Sequence, residues 1–436
     1  MHHEHDNVGK GKIIFRYLEK MSFATVIFLS FFHSLTTQLD IILNLLIFII
    51  ASTTIYRQIR PNNIHKKLNG ETYLLVLIFL QYTVINGMFN CCSIINLKRI
   101  LRLITAFSLV YIFSFQGIKK WILKLFISIM IAIGIILFMI TITAFINENL
   151  WSQIWSYLLK DFGLYYQLAE KSKGRLSQVS PLEMSILFPL ALFFASKNRF
   201  WKIFGATSFA MILLMVVFWN YRSHLITSSI GIFAFLFFLG CSQKKNQTFS
   251  LSNRLYAVLL FISVTTFSLF SSKQLLKINL LDRLLMKNDF DLSTTYEHIS
   301  LLKEGMLLFV NNPIIGIGTG NFTQYSQSSE LVLLNTTGKF IGKLPTVNYI
   351  IPESHNIVVE SLMELGLIGT ILLFTIAWKI FKADVHMMKS SPTPYLIAMI
   401  ISSWLFLINS LIDSYSKSSL YAFMILRGIK ANYSNK

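Results

Sequence analysis

The sequence predicts an all-α, polytopic membrane protein, and three observations carry that prediction. Only 14% of the 436 residues are charged and 54% are hydrophobic, whereas a soluble domain carries about 25% charged residues. Apolar runs long enough to cross a hydrocarbon core of roughly 30 Å recur from end to end. Basic residues gather in the short gaps between these runs, as the positive-inside rule expects. No stretch of ordinary soluble-domain size, about 100 residues, can be cut out. The chain therefore reads as one transmembrane domain over 1–436.

The apolar runs give about twelve transmembrane segments. They cover 21–36, 38–56, 73–91, 100–117, 121–146, 181–196, 201–219, 224–241, 254–271, 355–378, 394–413 and 418–433. The first, sixth and last are short for a full crossing. Arg57, Arg60, Lys66 and Lys67 share one gap, and Lys119 and Lys120 lie two crossings on. Lys197, Arg199 and Lys202, then Lys244 and Lys245, then Lys379, Lys382 and Lys389 fall on the same side. So do Lys10, Lys12, Arg16 and Lys20, which places both termini in the cytoplasm. Lys98, Arg99 and Arg102 break the pattern by falling on the opposite side. Two long connections then face outward, 147–180 and the large periplasmic loop 272–354. Connections of that length usually carry function.

The net charge of +19 does not mark a nucleic-acid partner. The basic residues are scattered between apolar runs instead of forming one basic domain. The excess suits anionic membrane lipids or a pyrophosphate. Cys91, Cys92 and Cys241 have neither disulfide-framework nor zinc spacing. His2, His3 and His5 sit in a polar tail and read as disordered, and no cleavable signal peptide is expected.

Within 272–354, Thr294 and Glu297 form a T-x-x-E capping box. Ile299, Leu302, Met306 and Phe309 follow at helical spacing, with Lys303 and Glu304 on the other face, and Asn311, Asn312 and Pro313 end the helix. Two readings stand: an amphipathic helix on the outer membrane surface, or a loop helix packed on the bundle. No internal repeat is visible, which weakens a transporter reading, since many transporters are built from related halves.

The strongest motif begins at the outer end of the tenth segment. His355 and Asn356 are followed by nine residues, then Gly366, two residues, Gly369 and Thr370, in the run HNIVVESLMELGLIGT. This H-N-x9-G-x-x-G-T pattern resembles the signature of the O-antigen ligase and O-antigen polymerase superfamily. A helix rises about 1.5 Å per residue, so Gly366 lies roughly 16 Å from His355. The glycines are thus expected to serve close approach of a neighbouring helix. At a helix N-terminus the dipole disfavours imidazolium, and a neutral His355 can accept a proton from a sugar hydroxyl or orient it. The bland alternative is an interfacial histidine without chemistry.

Arg222 lies in the short turn NYRSH between the seventh and eighth segments. Arginine at membrane depth is costly and usually functional, and its guanidinium grips two oxygens of a pyrophosphate in a fork. Ligases of the resembled family carry an arginine at this turn after Ser or Thr; here Tyr221 precedes it. Snorkelling to the interface is the alternative. The run LLKEGMLLFVNNPIIGIGTGNF, 301–322, resembles the family's segment preceding the histidine motif. Gly316, Gly318 and Gly320 fail the dinucleotide frame because Asn321 stands where the last glycine belongs. They read as a tight turn, with a backbone anion site as the alternative. The family's second arginine is missing where Tyr296, Glu297 and His298 stand. Arg283 and Arg175 are the candidates to replace it, and with His298 and Asn356 they form the candidate substrate-binding set.

Asp282, Asp289 and Asp291 read as a solvated acidic turn, not a metal site. Glu360 and Glu364 lie four apart on one face of the tenth segment, where buried acids need partners. They either anchor the helix or line a polar cavity. The resemblance covers about 170–380 with recognisable motifs. It implies a metal-independent inverting glycosyltransferase of the bacterial inner membrane, with no cofactor and a periplasmic active site. The donor would be a glycan on undecaprenyl pyrophosphate. The acceptor would be lipid A–core for a ligase or a lipid-linked glycan for a polymerase. Arg222 would hold the leaving group and His355 would act on the acceptor hydroxyl. A lipid-linked-glycan flippase is the reading from another class.

Overall fold

The computed structural model describes residues 70–90, 94–115, 120–146, 182–219, 222–241, 289–322, 330–334, 340–345, 356–390, 393–412 and 417–433, together with isolated positions in 21–50 and 258–262. These residues are helical apart from turns and one small hairpin. In chain order the helices are α1 (Gly70–Asn90), α2 (Ile94–Phe115), α3 (Lys120–Ile146), α4 (Leu182–Ser185), α5 (Leu187–Ala195), α6 (Arg199–Trp219) and α7 (Arg222–Cys241). They continue with α8 (Asp289–Asn311), α9 (Ile357–Ser390), α10 (Pro394–Ile412) and α11 (Lys417–Tyr433). Where the described residues overlap the expected segments, most boundaries agree within a few residues.

Apolar length explains why these stretches are helices. In hydrocarbon every backbone N–H and C=O needs an internal partner, and a helix supplies them within one segment. Among the described residues, α6 over Arg199–Val216, α9, and α10 over Pro394–Leu411 are long and apolar enough to cross a membrane. Shorter apolar stretches lie in α1, α2, α3 and α7. The sixth expected segment is two pieces, α4 and α5, meeting at Ile186. Pro189 lacks the N–H that would bond back to Ser185, which interrupts the ladder there.

α10 lies at the centre and packs on α5, α7, α9 and α11. Its apolar core, with Leu396, Ile397, Ile400 and Leu405 almost fully buried, joins Phe113, Phe126, Phe188, Phe209 and Phe235 from surrounding helices. Among the described helices, α2 and α11 form the most extensive pair. Gly428 permits that approach, because a Cβ there would stand 2.8 Å from the Val110 carbonyl oxygen. Small residues at such crossings are how membrane helices come together.

Three expectations need correction. First, α9 runs 34 residues to Ser390, past the expected end at 378. Lys379, Lys382 and Lys389 lie on the helix and not in a loop, because no glycine or proline occurs until Pro392. Second, α8 starts at Asp289, so Thr294 lies inside it and the capping box does not mark its start. It does end at Asn311, as expected before Pro313. Third, 272–354 holds an antiparallel hairpin, β1 (Glu330–Leu334) and β2 (Phe340–Pro345), with β1 beside α8. Leu331, Val332 and Ile341 supply the β-branched and aliphatic character of these strands.

Candidate functional site

The site is built around a break in α9. Gly366 has φ 63° and ψ −168°, a conformation open essentially to glycine alone. The break removes the helical bonds that would run from Leu367 N to Met363 O and from Ile368 N to Glu364 O. The glycine turn 313–320 replaces them group for group. Ile317 N donates to Met363 O at 2.9 Å and Gly318 N to Glu364 O at 3.0 Å. In return Leu367 N donates to Pro313 O at 2.9 Å and Ile368 N to Ile314 O at 3.3 Å. Unpaired backbone groups are costly in an apolar interior, so this exchange is what makes the break tolerable.

α1 completes the seal. Tyr82 Oη donates to Leu365 O at 2.7 Å. Asn86 Nδ2 reaches Ile315 O at 2.8 Å and Glu364 O at 3.1 Å. The contact is backbone on backbone: a Cβ at Gly366 would stand 2.3 Å from Ile314 O, and one at Gly316 2.5 Å from Glu364 O. The partner of Gly366 is therefore the turn and not the neighbouring helix the sequence suggested. Gly369 does meet a helix, since a Cβ there would lie 2.7 Å from the Tyr82 ring.

The turn binds a carboxyl group, and that group belongs to the chain. Gly316, Gly318 and Gly320 all have positive φ. Gly320 N donates to Glu364 Oε1 at 2.9 Å. The amides of Gly316, Ile317, Gly318 and Asn321 are also engaged. A backbone anion site for a substrate is thereby ruled out at these five amides. The sequence suggested that Glu364 anchors the helix or lines a polar cavity; it instead anchors the turn, and with Glu360 it lines a largely apolar cavity.

That cavity measures about 180 Å³. Its polar lining is Thr83 from α1, Arg102 from α2, Thr319 from the turn, and Glu360, Ser361 and Glu364 from α9. Phe79, Phe107, Phe406 and Phe423 form apolar walls on α1, α2, α10 and α11. Arg102, which broke the loop-charge pattern, thus lines a cavity that holds two carboxylates. Ile357, two residues after His355, also lines it.

Asn356 caps α9. Its Oδ1 accepts from Val358 N at 2.9 Å and Val359 N at 3.1 Å, while Nδ2 donates to Leu411 O at 2.7 Å. An N-cap asparagine satisfies amides that a helix start leaves open. Here it also ties α9 to the end of α10. Arg222 is the first residue of α7, and His298 lies on α8; for both it is the backbone that is placed. His355, Arg175 and Arg283 lie outside the described residues. Among the described residues, no group of three or more metal-ligating side chains comes together.

α8 presents two faces. Leu301 and Leu308 pack with Ile317, Phe322 and Met363, and Gly305 between them is buried. Ile299 and Val310 are 54% and 66% exposed, and Met306 and Leu307 share their side. The expected apolar stripe therefore exists in part, through Ile299 and Met306, but it faces away from the bundle.

Sequence reasoning missed a second polar centre near the other end of α9. Asp384 is fully buried and pairs with Arg427 and Lys430 of α11. Trp404 Nε1 donates to it at 2.7 Å. The Arg427 guanidinium lies over the Trp404 and Phe423 rings at 5.1 and 5.2 Å. The available signal was an acid and two bases within apolar segments; placing Asp384 in a loop hid it. Tyr82 and Asn86, polar and four apart in an apolar run, were a similar signal. No protein-family model matches the chain, and a search of curated proteins returns no match.

Proposed function

We propose that this chain is a bacterial inner-membrane glycosyltransferase of the O-antigen ligase type, with about twelve transmembrane segments and both termini cytoplasmic. It moves a glycan from undecaprenyl pyrophosphate to a sugar hydroxyl of lipid A–core at the periplasmic face. The single observation behind this reading is the docking of two distant stretches. The two runs that carry the family resemblance, 301–322 and 355–370, meet through four backbone hydrogen bonds around Gly366. Motifs matched by chance have no reason to form one local structure.

In this reading the Asn356 end of α9 faces the periplasm. Asn356 fixes the start of α9, directly after His355. His355 then accepts or orients the acceptor hydroxyl proton. Arg222, at the start of α7, grips the pyrophosphate leaving group in a fork. The exposed apolar side of α8 lies in the outer leaflet. No step calls on a metal or cofactor.

The test is turnover by the purified full-length chain with a defined undecaprenyl-pyrophosphate-linked glycan. Transfer to lipid A–core supports the ligase. Elongation of a second lipid-linked glycan assigns a polymerase with the same donor chemistry. Movement of the lipid-linked glycan across vesicles without a new glycosidic bond overturns the enzyme reading in favour of a flippase.

A further inference from the structure

The buried centre at Asp384 sets one acid against two bases. Arg427 Nη1 and Lys430 Nζ both donate to its carboxylate. Arg427 is only 7% exposed, and its Nε and Nη2 are buried with no hydrogen-bond partner among the described residues. Buried charged donors left this way are uncommon and need an explanation. Nε–H and Nη2–H point from one edge of the planar guanidinium. That edge is the fork that takes two oxygens of one carboxylate or phosphate side by side.

The surrounding helices offer no second carboxylate. α2 and α10 pack on α11, and none of the three carries an Asp or Glu. On α9, Asp384 is the only acid after Gly366. Aromatic rings in contact lead instead from the centre to the surface. Trp404 stands edge-on to Phe381 with centroids 5.2 Å apart, and Phe381 stacks on Trp378 at 5.8 Å. Trp378 is 57% exposed, and Lys382 Nζ lies 5.1 Å from the centre of its ring. An exposed tryptophan beside a lysine is what a membrane helix presents at headgroup level.

We propose that the Nε–Nη2 edge of Arg427, with Lys430 beside it, is a binding site for the phosphate of an anionic membrane phospholipid. A phosphodiester carries a single negative charge, which balances the excess cation of the cluster. Phosphatidylglycerol suits the site better than phosphatidylcholine, whose ammonium meets a surface of the same sign at Lys382. In the proposed topology the lipid belongs to the inner leaflet. That placement rests on the loop charges; the binding rests on the cluster alone.

The experiment titrates the full-length protein in dodecyl maltoside with phosphatidylglycerol, with phosphatidylcholine of the same chains, and with inorganic phosphate. Thermal unfolding gives the midpoint concentration of each stabilisation. Phosphatidylglycerol should stabilise at lower concentration than phosphatidylcholine, and inorganic phosphate should do little. Arg427→Lys keeps a cation for Asp384 and loses the fork. Its phosphatidylglycerol midpoint should rise roughly tenfold, as expected when a hydrogen bond to a charged group is lost. Lys430→Met leaves a balanced Asp384–Arg427 pair and should abolish the preference for phosphatidylglycerol. Lys382→Met removes an exposed cation and should move the midpoint far less than Arg427→Lys. Each readout is a shift on adding lipid, so a variant of lower starting stability still reports. If Arg427→Lys does not fold, Lys430→Met decides.

Equal stabilisation of the wild type by both lipids overturns the site. So does an unmoved midpoint in Arg427→Lys, or a preference retained in Lys430→Met. An effect of Lys382→Met as large as that of Arg427→Lys overturns it in favour of general surface attraction. Stabilisation by inorganic phosphate equal to that by phosphatidylglycerol overturns the lipid and assigns the edge to a soluble phosphate. None of these readouts uses glycosyl transfer, so the site stands or falls apart from the proposed activity.

Discussion

At the Asn356 end of α9 the helix breaks and backbone groups exchange partners across the break, beside the buried acids Glu360 and Glu364; at the Asp384 end it runs unbroken and one buried acid pairs directly with two bases. The break is satisfied by exchange, since each group the helix loses finds a counterpart on the turn 313–318. Its stability is spread over many modest bonds and depends on Gly366 being able to adopt its conformation. The charged centre concentrates its stability on one carboxylate. Asp384 faces two cations, and Arg427 Nε and Nη2 have no hydrogen-bond partner among the described residues. The contrast teaches that a broken membrane helix can be held by exchanged backbone bonds, while an intact one can depend on a single buried ion cluster.

The largest expected effect is therefore at the end farther from the cavity. Asp384→Asn removes the carboxylate charge and leaves Arg427 and Lys430 side by side and buried. Breaking such a pair should cost about 3–5 kcal/mol, read as a lower melting temperature and reduced abundance in the membrane. Lys430→Met added to it should recover part of the loss. Wild-type stability in Asp384→Asn would mean that the cluster is neutralised some other way. Gly366→Ala comes next. It forces a Cβ within 2.3 Å of Ile314 O and into a disfavoured conformation worth about 1–3 kcal/mol. The loss should read as a lower melting temperature. If the alanine variant simply straightens α9 and keeps full stability, the exchange of hydrogen bonds is not what holds this end.

Helix positions were legible because hydrocarbon leaves the backbone so few choices; α3, α6 and α10 match their expected spans closely. The run HNIVVESLMELGLIGT was legible as a motif, and so was the glycine turn, but not their union. Gly366 reads as helix packing from one sequence, because a Gly-only conformation leaves no trace besides the glycine itself. The fourfold bond exchange is long-range, between residues about 50 apart, and no periodicity encodes it. Arg102 gave a trace as a charge on the wrong side, and Glu360 and Glu364 as acids in an apolar run. Asp384 gave none once Lys379, Lys382 and Lys389 had been read as a loop. The roles of His355, Arg175 and Arg283 rest on sequence alone, since they lie outside the described residues.

A smaller effect is expected at α1. Tyr82→Phe keeps the ring against Gly369 and removes only the donor to Leu365 O. The loss should be about 1 kcal/mol, the usual net worth of one hydrogen bond. A neutral result would show that water or another donor reaches that carbonyl.

The smallest effect is the most diagnostic, and it concerns Asn356. Its Oδ1 caps α9 and its Nδ2 ties α9 to Leu411 O at the end of α10. Asn356→Ala loses both and should cost about 1 kcal/mol, the usual figure for a cap. Asn356→Asp keeps the cap, since a carboxylate accepts the same two amides and suits the positive end of the helix dipole. It loses only the tether, and it sets an anion against the open carbonyls that end α10. Stability should therefore fall less in the aspartate variant than in the alanine one. If Asn356 acts only by holding the start of α9 in place, kcat/KM for transfer should fall in the same order as melting temperature. If its amide instead contacts the substrate, the aspartate variant should lose transfer out of proportion to its stability. Melting temperature and kcat/KM measured on both variants decide between positioning and contact. The geometry favours positioning, because the cap and the tether already engage Oδ1 and Nδ2.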